Sequence, residues 1–288
     1  MLDLIIVGAG PAGLTAGIYA RQSGLSTLIL GGRGAAGGLL NSTDKVNNFI
    51  GRPYVEGGEL ANSFVEHAAA EGVEIVHENV RTISTTDEGF ELLTDANGYK
   101  ARTVIYTAGS EPRKLGVAGE ELEGVSYCAT CDGLFFSDED VAVVGGGDAA
   151  VEEALYLAGI CKTVTMLVRS DFRAKAGLLQ SLATVDNVRV LKGVSVERIV
   201  GEGTVEAVEL SDGSSLSVEG VFIAVGQIPQ SAPAEPHVEL RPDGFIRASR
   251  ERGFYVAGDV ANPEYRQAII AAGEGAKAAL QVIAQLRF

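Results

Sequence analysis

The chain has 288 residues, a formal net charge of -15 at pH 7 and 46% hydrophobic residues. This length suits two domains, and the apolar fraction is sufficient for two buried cores. The acidic balance argues against nucleic acid and anionic membrane surfaces as partners, because both require basic patches. No apolar run approaches the ~18 residues of a membrane-spanning helix, and no basic leader precedes the first apolar segment, so a cytoplasmic protein is expected.

The N-terminal stretch predicts the beginning of a dinucleotide-binding fold. The apolar run Leu4–Val7 predicts a buried parallel strand, followed by a helix over residues 14–23 and a second strand over 25–30. Between the first strand and the helix lies Gly8-Ala9-Gly10-Pro11-Ala12-Gly13, which has the G-x-G-x-x-G pattern. A dinucleotide fold requires this order of strand, glycine loop, helix and strand.

Each glycine of this loop has a distinct expected role. Gly8 allows the tight turn, Gly10 lets a pyrophosphate approach the backbone, and Gly13 lets the helix pack closely on the strand. The helix N-terminus attracts the phosphate charge. An acid that binds ribose often ends the second strand, but here Leu30 is followed by Gly31.

Downstream, the sequence completes this domain and then repeats its plan. The first domain continues with a helix over 60–70, a strand over 74–76, an antiparallel meander over 80–86, 90–94 and 99–102, and a buried strand over 103–109. The second copy has a strand over 141–144, the G-x-G-x-x-A run Gly145-Gly146-Gly147-Asp148-Ala149-Ala150, a helix over 151–158, a strand over 163–168, a meander over 194–200, 207–211 and 215–218, and a strand over 221–226. An empty, decayed copy is the alternative for this second unit, but its intact glycines favour a bound dinucleotide.

The C-terminal segment returns to the first domain. A strand over 253–260 contains Gly258-Asp259, and an Ala-rich helix follows over 267–286. We therefore predict an α/β fold of two Rossmann-like, three-layer ββα dinucleotide-binding domains, with the second inserted into the first. The predicted ranges are 1–112 plus 240–288 for the first domain and 113–239 for the inserted one.

Two of the three cysteines lie in Cys128-Ala129-Thr130-Cys131-Asp132, between the two units. Thiols at this spacing close as a disulfide or open as a dithiol with little backbone movement, and one thiolate can attack an outside disulfide while the other resolves the mixed intermediate. Asp132 is a carboxyl group placed to move the proton of such exchange. The alternative is half a zinc site, but a second cysteine pair and ligand-spaced histidines are missing, so no metal is expected. Cys161 is expected to be a small packed residue.

The order of these features resembles the low-molecular-weight thioredoxin reductases over nearly the whole chain. The resemblance rests on the two glycine loops, Asn48, Thr107-Ala108-Gly109, the cysteine motif, Gly258-Asp259 and Tyr265-Arg266-Gln267-Ala268. It implies a flavin-dependent disulfide reductase, in which electrons pass from a nicotinamide to FAD, to the Cys128–Cys131 disulfide and then to thioredoxin or a similar small protein. Cys131 would face the flavin, Cys128 would attack the partner, and Asp132 would be the acid/base. A homodimer is also implied, with an inserted domain that rotates about hinges near Pro112 and Gln227.

The resemblance further assigns cofactor-binding residues by position. The FAD-binding domain would be 1–112 plus 240–288, and 113–239 would be an NAD(P)H-binding-like domain that carries the redox disulfide. The residues implied for FAD are Gly8, Gly10, Pro11, Ala12, Gly13, Gly38, Leu39, Asn48, Ala108, Gly109, Gly258, Asp259, Arg266, Gln267 and Ala268. Those implied for NAD(P)H are Gly145, Gly147, Asp148, Ala149, Ala150, Arg169 and Arg173.

The sequence departs from the family pattern at both cofactor sites. Leu39 stands where the family usually has a glutamine near the flavin. Val168 and Ser170 replace the histidine and the second arginine of the family's His-Arg-Arg reader of the NADPH 2′-phosphate, while Arg169 and Arg173 remain. Each lost cationic contact removes a charge-assisted hydrogen bond of roughly 1.5–3 kcal/mol.

The electron donor is therefore open, with NADPH preferred. No carboxylate ends the strand to select NADH, since Asp171 comes three residues after Val168. NADH, ferredoxin, a deazaflavin or a second flavin are the alternatives. A second function is also open, because FAD dithiol oxidases of the same superfamily form disulfides in small molecules and need no nicotinamide reader. A flavin-binding protein without enzymatic activity is disfavoured by the cysteine pair beside Asp132.

Overall fold

The chain forms two compact units. The computed structural model describes residues 1–43 and 45–287; Asp44 and Phe288, both inside the predicted FAD-binding domain, lie outside the described residues. One unit contains Met1–Glu111 and Ile228–Phe288, and the other contains Pro112–Gln227. Residues 228–239, which the sequence-based division placed in the inserted domain, group with the first unit, because Ala234 and Val238 belong to its core.

The helices and strands alternate in the order expected for two α/β units. The first segment contains β1 (Leu2–Val7), α1 (Pro11–Gln22), β2 (Thr27–Leu30), β3 (Lys45–Val46), β4 (Val55–Glu56), α2 (Gly57–Ala70), β5 (Glu74–Val76), β6 (Val80–Thr86), β7 (Gly89–Thr94), β8 (Gly98–Tyr106) and β9 (Ser110–Pro112). Next come β10 (Val125–Ser126), α3 (Ala129–Asp132), β11 (Asp140–Val144), α4 (Asp148–Ala158), β12 (Thr163–Val168), α5 (Ala176–Leu182), β13 (Val188–Lys192), β14 (Val196–Val200), β15 (Ala207–Leu210), β16 (Ser215–Ser217) and β17 (Gly220–Ile223). The chain ends with β18 (Gln227–Pro229), β19 (Val238–Leu240), β20 (Ile246–Ser249), β21 (Phe254–Val256) and α6 (Ala268–Arg287).

The first unit is built on a seven-stranded sheet in the order β5-β2-β1-β8-β7-β6, with β21 paired to β8 beside this path. β5, β2, β1, β8 and β21 run parallel, whereas β6 and β7 form an antiparallel meander with the start of β8. Along β1, Leu4 and Ile6 point into the core shared with α1 and α6, while Ile5 and Val7 point into the core on the meander side. Both faces of β1 are thus buried, which explains its continuous apolar run.

The structure corrects the prediction of two separate strands over residues 99–102 and 103–109. Residues 98–106 form the single strand β8, because its first half pairs with β7 of the meander and its second half with β1 of the parallel sheet. One strand therefore belongs to both parts of the fold.

The second unit repeats the three-layer plan. Its five-stranded parallel sheet has the order β10-β17-β11-β12-β13, and β14, β15 and β16 form a separate antiparallel sheet. Alternate residues of β11 face the two sides: Val141 and Val143 pack with α4, whereas Ala142 and Val144 pack with the antiparallel strands.

The helix α5 and the strand β13 were not predicted. α5 is one short helix without a side-chain N-cap, and β13 is an edge strand whose last four residues are exposed.

The two chain connections between the units run side by side as β9 and β18. Gln230 N donates to Gly109 O at 3.0 Å in the first unit, and Arg113 N donates to Gly226 O at 3.0 Å in the second. Within the described ranges, no helix has the length and apolarity needed to cross a membrane.

Two glycines of α6 provide a matched test of the packing between α1 and α6. A Cβ on Gly275 would lie 2.0 Å from Ala12 O, whereas a Cβ on Gly273 would meet nothing within 4 Å. We expect Gly275→Ala to lower the free energy of unfolding by about 2 kcal/mol or more, because it forces the two backbones apart. Gly273→Ala is expected to raise it by roughly 0.5–1 kcal/mol through helix propensity. Urea unfolding measures both, and equal effects of the two variants would contradict the close packing.

Candidate active site

The glycine loop of the first unit brings the end of β1 against the start of α1. Gly8 has φ +109°, and a Cβ there would lie 2.4 Å from Thr107 O and 3.0 Å from Ala108 Cα. A Cβ on Gly13 would lie 1.9 Å from Gly8 O. Side chains at Gly8 and Gly13 would therefore separate the strand from the helix, as the sequence pattern predicted.

The N-terminus of α1 is open above this loop. Gly10 occupies the N-cap position without any side-chain cap, and Pro11 is the first helical residue. A Cβ on Gly10 would meet only Gly38 Cα, at 3.9 Å. The first amides of a helix have no helical acceptor, and the helix dipole favours an anion beside them. This uncapped space suits the pyrophosphate of a dinucleotide.

Other residues implied for FAD come from distant segments of the same unit. Gly258 lies against α1, since a Cβ on it would be 3.0 Å from the Ala12 Cβ. Asn48 Nδ2 donates to Gln267 Oε1 at 2.9 Å, and Gln267 immediately precedes α6. Leu39 is partly exposed, with 37% of its surface accessible. The first unit thus has an uncapped helix end that suits a dinucleotide, and a hydrogen bond that joins Asn48 to Gln267.

Glu274 supports this site and was missed by the sequence reading. Its Oε2 accepts Gly258 N at 2.7 Å, and its Oε1 accepts Asn262 Nδ2 at 2.9 Å. Burial raises the pKa of the neighbouring Asp259 to about 6, with Arg266 opposing the shift and Glu274 adding to it. The sequence does contain a signal for Glu274, since it is a lone carboxylate in the Ala- and Gly-rich first half of α6.

The second unit carries the cysteine pair on one tight turn. Cys128 and Cys131 are joined as a disulfide with Cα atoms 5.3 Å apart, which confirms the predicted pair. Cys128 precedes the short helix α3, and its carbonyl accepts both Cys131 N and Asp132 N at 3.1 Å. The backbone of the turn is therefore held by its own hydrogen bonds, independently of the sulfur–sulfur bond.

The residues just before the cysteines anchor this turn. Ser126 Oγ donates to Asp132 Oδ2 at 2.5 Å and accepts Cys128 N at 3.0 Å. Tyr127 donates its hydroxyl to Glu120 Oε1 at 2.7 Å. Burial opposes ionisation of Glu120, but the hydrogen bonds from Tyr127, Leu115 N and Gly116 N outweigh it and lower the pKa. Sequence reasoning had missed Ser126, Tyr127 and Glu120, because a serine or tyrosine beside a motif carries no pattern of its own.

Cys161 is separate from this chemistry. It is 5% exposed within the apolar core beside α4. Burial raises the pKa of its thiol to about 11, so it remains protonated at neutral pH.

The glycine loop of the second unit also leads into an uncapped helix, but a different chain segment, the one after β12, is bonded to it. Gly147 is the N-cap of α4 without a side-chain cap, and a Cβ on it would meet nothing within 4 Å. Asp148 follows as the first helical residue and accepts Lys175 N at 2.8 Å, while Lys175 Nζ lies 3.0 Å from its second oxygen. Arg173 N donates to Gly146 O at 2.7 Å. The segment after β12 is thus tied to the glycine loop.

The predicted reader of the 2′ group lies on this segment. Arg169 and Arg173 are exposed, and Asp171 pairs with Lys192, whose Nζ is 2.7 Å from Asp171 Oδ1. Lys192 ends β13 directly beside Val168 of β12. The sequence reading had not counted Lys192 at this site, because only the pairing of β12 with β13 brings it there.

Comparison with known proteins agrees with this geometry. The family of pyridine nucleotide-disulphide oxidoreductases matches residues 2–275. A thioredoxin reductase of Bacillus subtilis (strain 168) is 38% identical over 296 residues, which cover 97% of this chain and 93% of that protein. A bifunctional thioredoxin reductase/thioredoxin of Mycobacterium leprae (strain TN) is 37% identical over 96% of this chain and 64% of that protein. The crystal structure of thioredoxin reductase from Streptococcus pyogenes MGAS5005 has a TM-score of 0.94 at 37% identity, and the match covers 100% of this chain and 98% of that chain.

The fold, the disulfide and these relatives define an oxidoreductase of the flavin-dependent disulfide reductase class. The chain belongs to the pyridine nucleotide-disulphide oxidoreductase family. The predicted fold class and the resemblance to thioredoxin reductases are confirmed, and FAD and NADPH are the cofactors that this family uses.

Asp259→Asn tests the electrostatics around the open end of α1. The folded protein without FAD holds a proton on Asp259 up to about pH 6, whereas the unfolded chain releases it near pH 4. The contribution of Asp259 to stability therefore falls as the pH rises from about 4 to about 6 and stays low above that range. We expect the FAD-free asparagine variant to be more stable than the wild type by roughly 1–3 kcal/mol near pH 7, with little difference near pH 4.

Urea unfolding of the FAD-free proteins near both pH values measures this difference. Asp87→Asn, in the exposed turn between β6 and β7, is the control and should leave the pH dependence unchanged. An equal effect of Asp259→Asn at the two pH values would contradict the raised pKa.

Proposed function

We propose that this protein reduces the disulfide of thioredoxin, or of a similar small protein, with electrons from NADPH. The observation that carries the proposal is the Cys128–Cys131 disulfide on one turn with Asp132, in a unit that also has an open dinucleotide loop. Its relatives support the same assignment, since the Bacillus subtilis protein is a thioredoxin reductase and the Mycobacterium leprae protein joins a thioredoxin to its reductase. We further propose that it acts as a homodimer in the cytoplasm.

FAD is proposed to bind in the first unit. Gly10 and the N-terminus of α1 would hold its pyrophosphate, Gly258-Asp259 its ribityl chain, and Arg266-Gln267-Ala268 the pyrimidine edge of its ring. When bound, FAD supplies the electron pair that opens the Cys128–Cys131 disulfide.

The thiol steps follow from the order of the three side chains. In the dithiol form, the Cys128 thiolate attacks one sulfur of the partner's disulfide, forms a mixed disulfide and releases the partner's other sulfur as a thiolate. Asp132 gives its proton to that thiolate. Cys131 then loses its proton to Asp132, and its thiolate attacks Cys128, which re-forms the intramolecular disulfide. The second released sulfur takes the proton from Asp132, so the partner gains two electrons and two protons.

Cys131→Ser tests this route. The variant lacks the sulfur that resolves the mixed disulfide, so we expect thioredoxin reduction to fall by roughly 1,000-fold or more. Cys161→Ala is the matched control, because this cysteine is buried outside the site, and its rate should stay within about twofold of wild type. Reduction at the wild-type rate by Cys131→Ser would exclude the mechanism.

The structure also supports a specific reader of the nucleotide. The segment after β12 is where a dinucleotide fold distinguishes a 2′-hydroxyl from a 2′-phosphate. Lys192 supplies a cation there in addition to Arg169 and Arg173, but Asp171 shares its charge. The hydrogen bond and charge of Lys192 lower the pKa of the Asp171 carboxyl, which keeps it ionised at neutral pH. We therefore propose that Lys192 contacts the 2′-phosphate and that Asp171 weakens this contact.

Opposite changes at the two partners test the proposed reader. Asp171→Asn is expected to strengthen NADPH binding about two- to fivefold, because it frees the Lys192 ammonium, and Lys192→Gln is expected to weaken it by a similar factor. NADH binding should not change, since NADH lacks the phosphate. Anaerobic titrations of flavin bleaching with NADPH and NADH, and calorimetric titration with 2′,5′-ADP, measure these affinities.

The pair of Lys162 and Asp140 provides the control. Its charged atoms are 3.0 Å apart where β11 and β12 begin, whereas Asp171 follows the end of β12, and Lys162→Gln should leave both affinities unchanged. In the wild type, bleaching by NADPH that is no faster than bleaching by NADH or reduced ferredoxin would exclude NADPH as the preferred donor. Bleaching by a small dithiol alone, with peroxide released in air, would favour the dithiol oxidase instead.

A further inference from the structure

Ser126 carries a hydrogen-bonding role at the cysteine turn that the reaction itself does not assign. Its hydroxyl lies between Asp132 and the backbone of Cys128: Oγ is 2.5 Å from Asp132 Oδ2, 3.0 Å from Cys128 N and 3.4 Å from Cys128 O. The amide of Cys128 can only donate, so the serine oxygen accepts from it. The single hydroxyl proton then goes to the nearer acceptor, the Asp132 carboxylate.

The fold fixes this hydroxyl in place. Ser126 is the last residue of β10, which pairs in parallel with β17 opposite Phe222, and it is 5% exposed. A buried strand residue has little rotational freedom of its backbone, so the hydroxyl is presented from the rigid sheet to the short helix that carries Asp132. The hydrogen bond from Ser126 therefore fixes the position of the Asp132 carboxylate relative to the sheet as well as to its own turn.

We propose that Ser126 is the positioning residue of the acid/base, holding Asp132 in line for proton transfer during thiol–disulfide exchange. This inference rests on the proposed function. Donation from Ser126 favours the ionised carboxylate that must accept the proton of Cys131. When Asp132 carries the proton, the Ser126 hydroxyl turns toward Cys128 O at 3.4 Å, so that both protonation states keep a partner.

Ser126→Ala and Asp132→Asn, alone and combined, separate positioning from general structural support. The FAD-loaded protein is reduced anaerobically with dithionite, freed of excess reductant and mixed with oxidised thioredoxin in a stopped-flow instrument. We expect Ser126→Ala to slow this single turnover roughly 10- to 100-fold, the effect of one charge-assisted hydrogen bond, and to move the acid limb of the rate profile to higher pH. In the Asp132→Asn background, the same change should have no further effect, because the serine acts through the carboxylate.

A small-molecule disulfide, used as substrate in place of thioredoxin, provides an internal control. Dithiobis(nitrobenzoate) releases an aromatic thiolate that leaves without a proton, so release of its first thiolate by Cys128, which precedes the loss of the Cys131 proton, should be nearly unchanged in Ser126→Ala. Ser137→Ala replaces an exposed serine whose hydroxyl donates to Leu134 O, three residues earlier, at 3.2 Å, and should behave as wild type. Ser126→Thr keeps a hydroxyl and should retain the thioredoxin rate within about threefold, which preserves the test if the alanine variant does not fold.

Three results would overturn the proposal: equal slowing with both disulfides, slowing that multiplies with that of Asp132→Asn, or a folded threonine variant that loses only the thioredoxin rate. Failure of the proposed function has a different signature. In that case the reduced wild-type protein itself leaves thioredoxin oxidised, before any variant is compared.

Discussion

Two helix N-termini without side-chain caps are the constraint on which both units depend. α1 begins after Gly10 and α4 after Gly147, and neither N-cap residue has a side chain that could satisfy the first amides. Such a helix end is costly unless solvent or an anion bonds to it. In the first loop, a Cβ on Gly8 would lie 2.4 Å from Thr107 O and one on Gly13 would lie 1.9 Å from Gly8 O, because the backbones of the strand and the helix meet there. The backbone packing therefore leaves a helix N-terminus free to accept the phosphates of a dinucleotide.

The same loop has opposite electrostatic surroundings in the two units. In the first, Asp259 is half-buried near Glu274, and removal from solvent raises the pKa of its carboxyl group to about 6. The protonation state of this carboxyl group therefore depends on the group that binds beside it. In the second, Asp148 and Asp171 are each paired with a lysine at the surface, and both carboxyl pKa values are lowered. Burial thus sets the carboxyl pKa in the first site, and hydrogen bonds and ion pairs with surface lysines set the carboxyl pKa values in the second.

The sequence predicted what local patterns determine. The strand at 4–7 and the glycine loop were correct because an apolar run and a glycine spacing report directly on burial and backbone approach. α5 and β13 were missed because a seven-residue helix and a five-residue, largely exposed edge strand are too short to show a clear periodicity.

Side-chain networks were the other failure, because their partners meet only in the folded chain. Glu274 reaches Gly258 across the turn before α6, and Lys192 reaches Asp171 through the pairing of β12 with β13. Sequence spacing contains neither contact. Ser126 is closer to its partner in sequence, but its role depends on the position of β10 in the sheet rather than on a motif.

The second unit separates the chemistry that must stay fixed from the recognition that can change. The cysteine turn is held by backbone bonds to Cys128 O, by Ser126 and by the link from Tyr127 to Glu120, so opening the disulfide removes one bond among several. Glu120 also binds the first segment of the unit at Leu115 and Gly116. The proposed nucleotide reader, by contrast, includes the exposed side chains of Arg169 and Arg173 on a surface segment. Substitution of these arginines is therefore expected to change nucleotide binding at little cost to the fold, and to leave the thiol chemistry of the same unit intact.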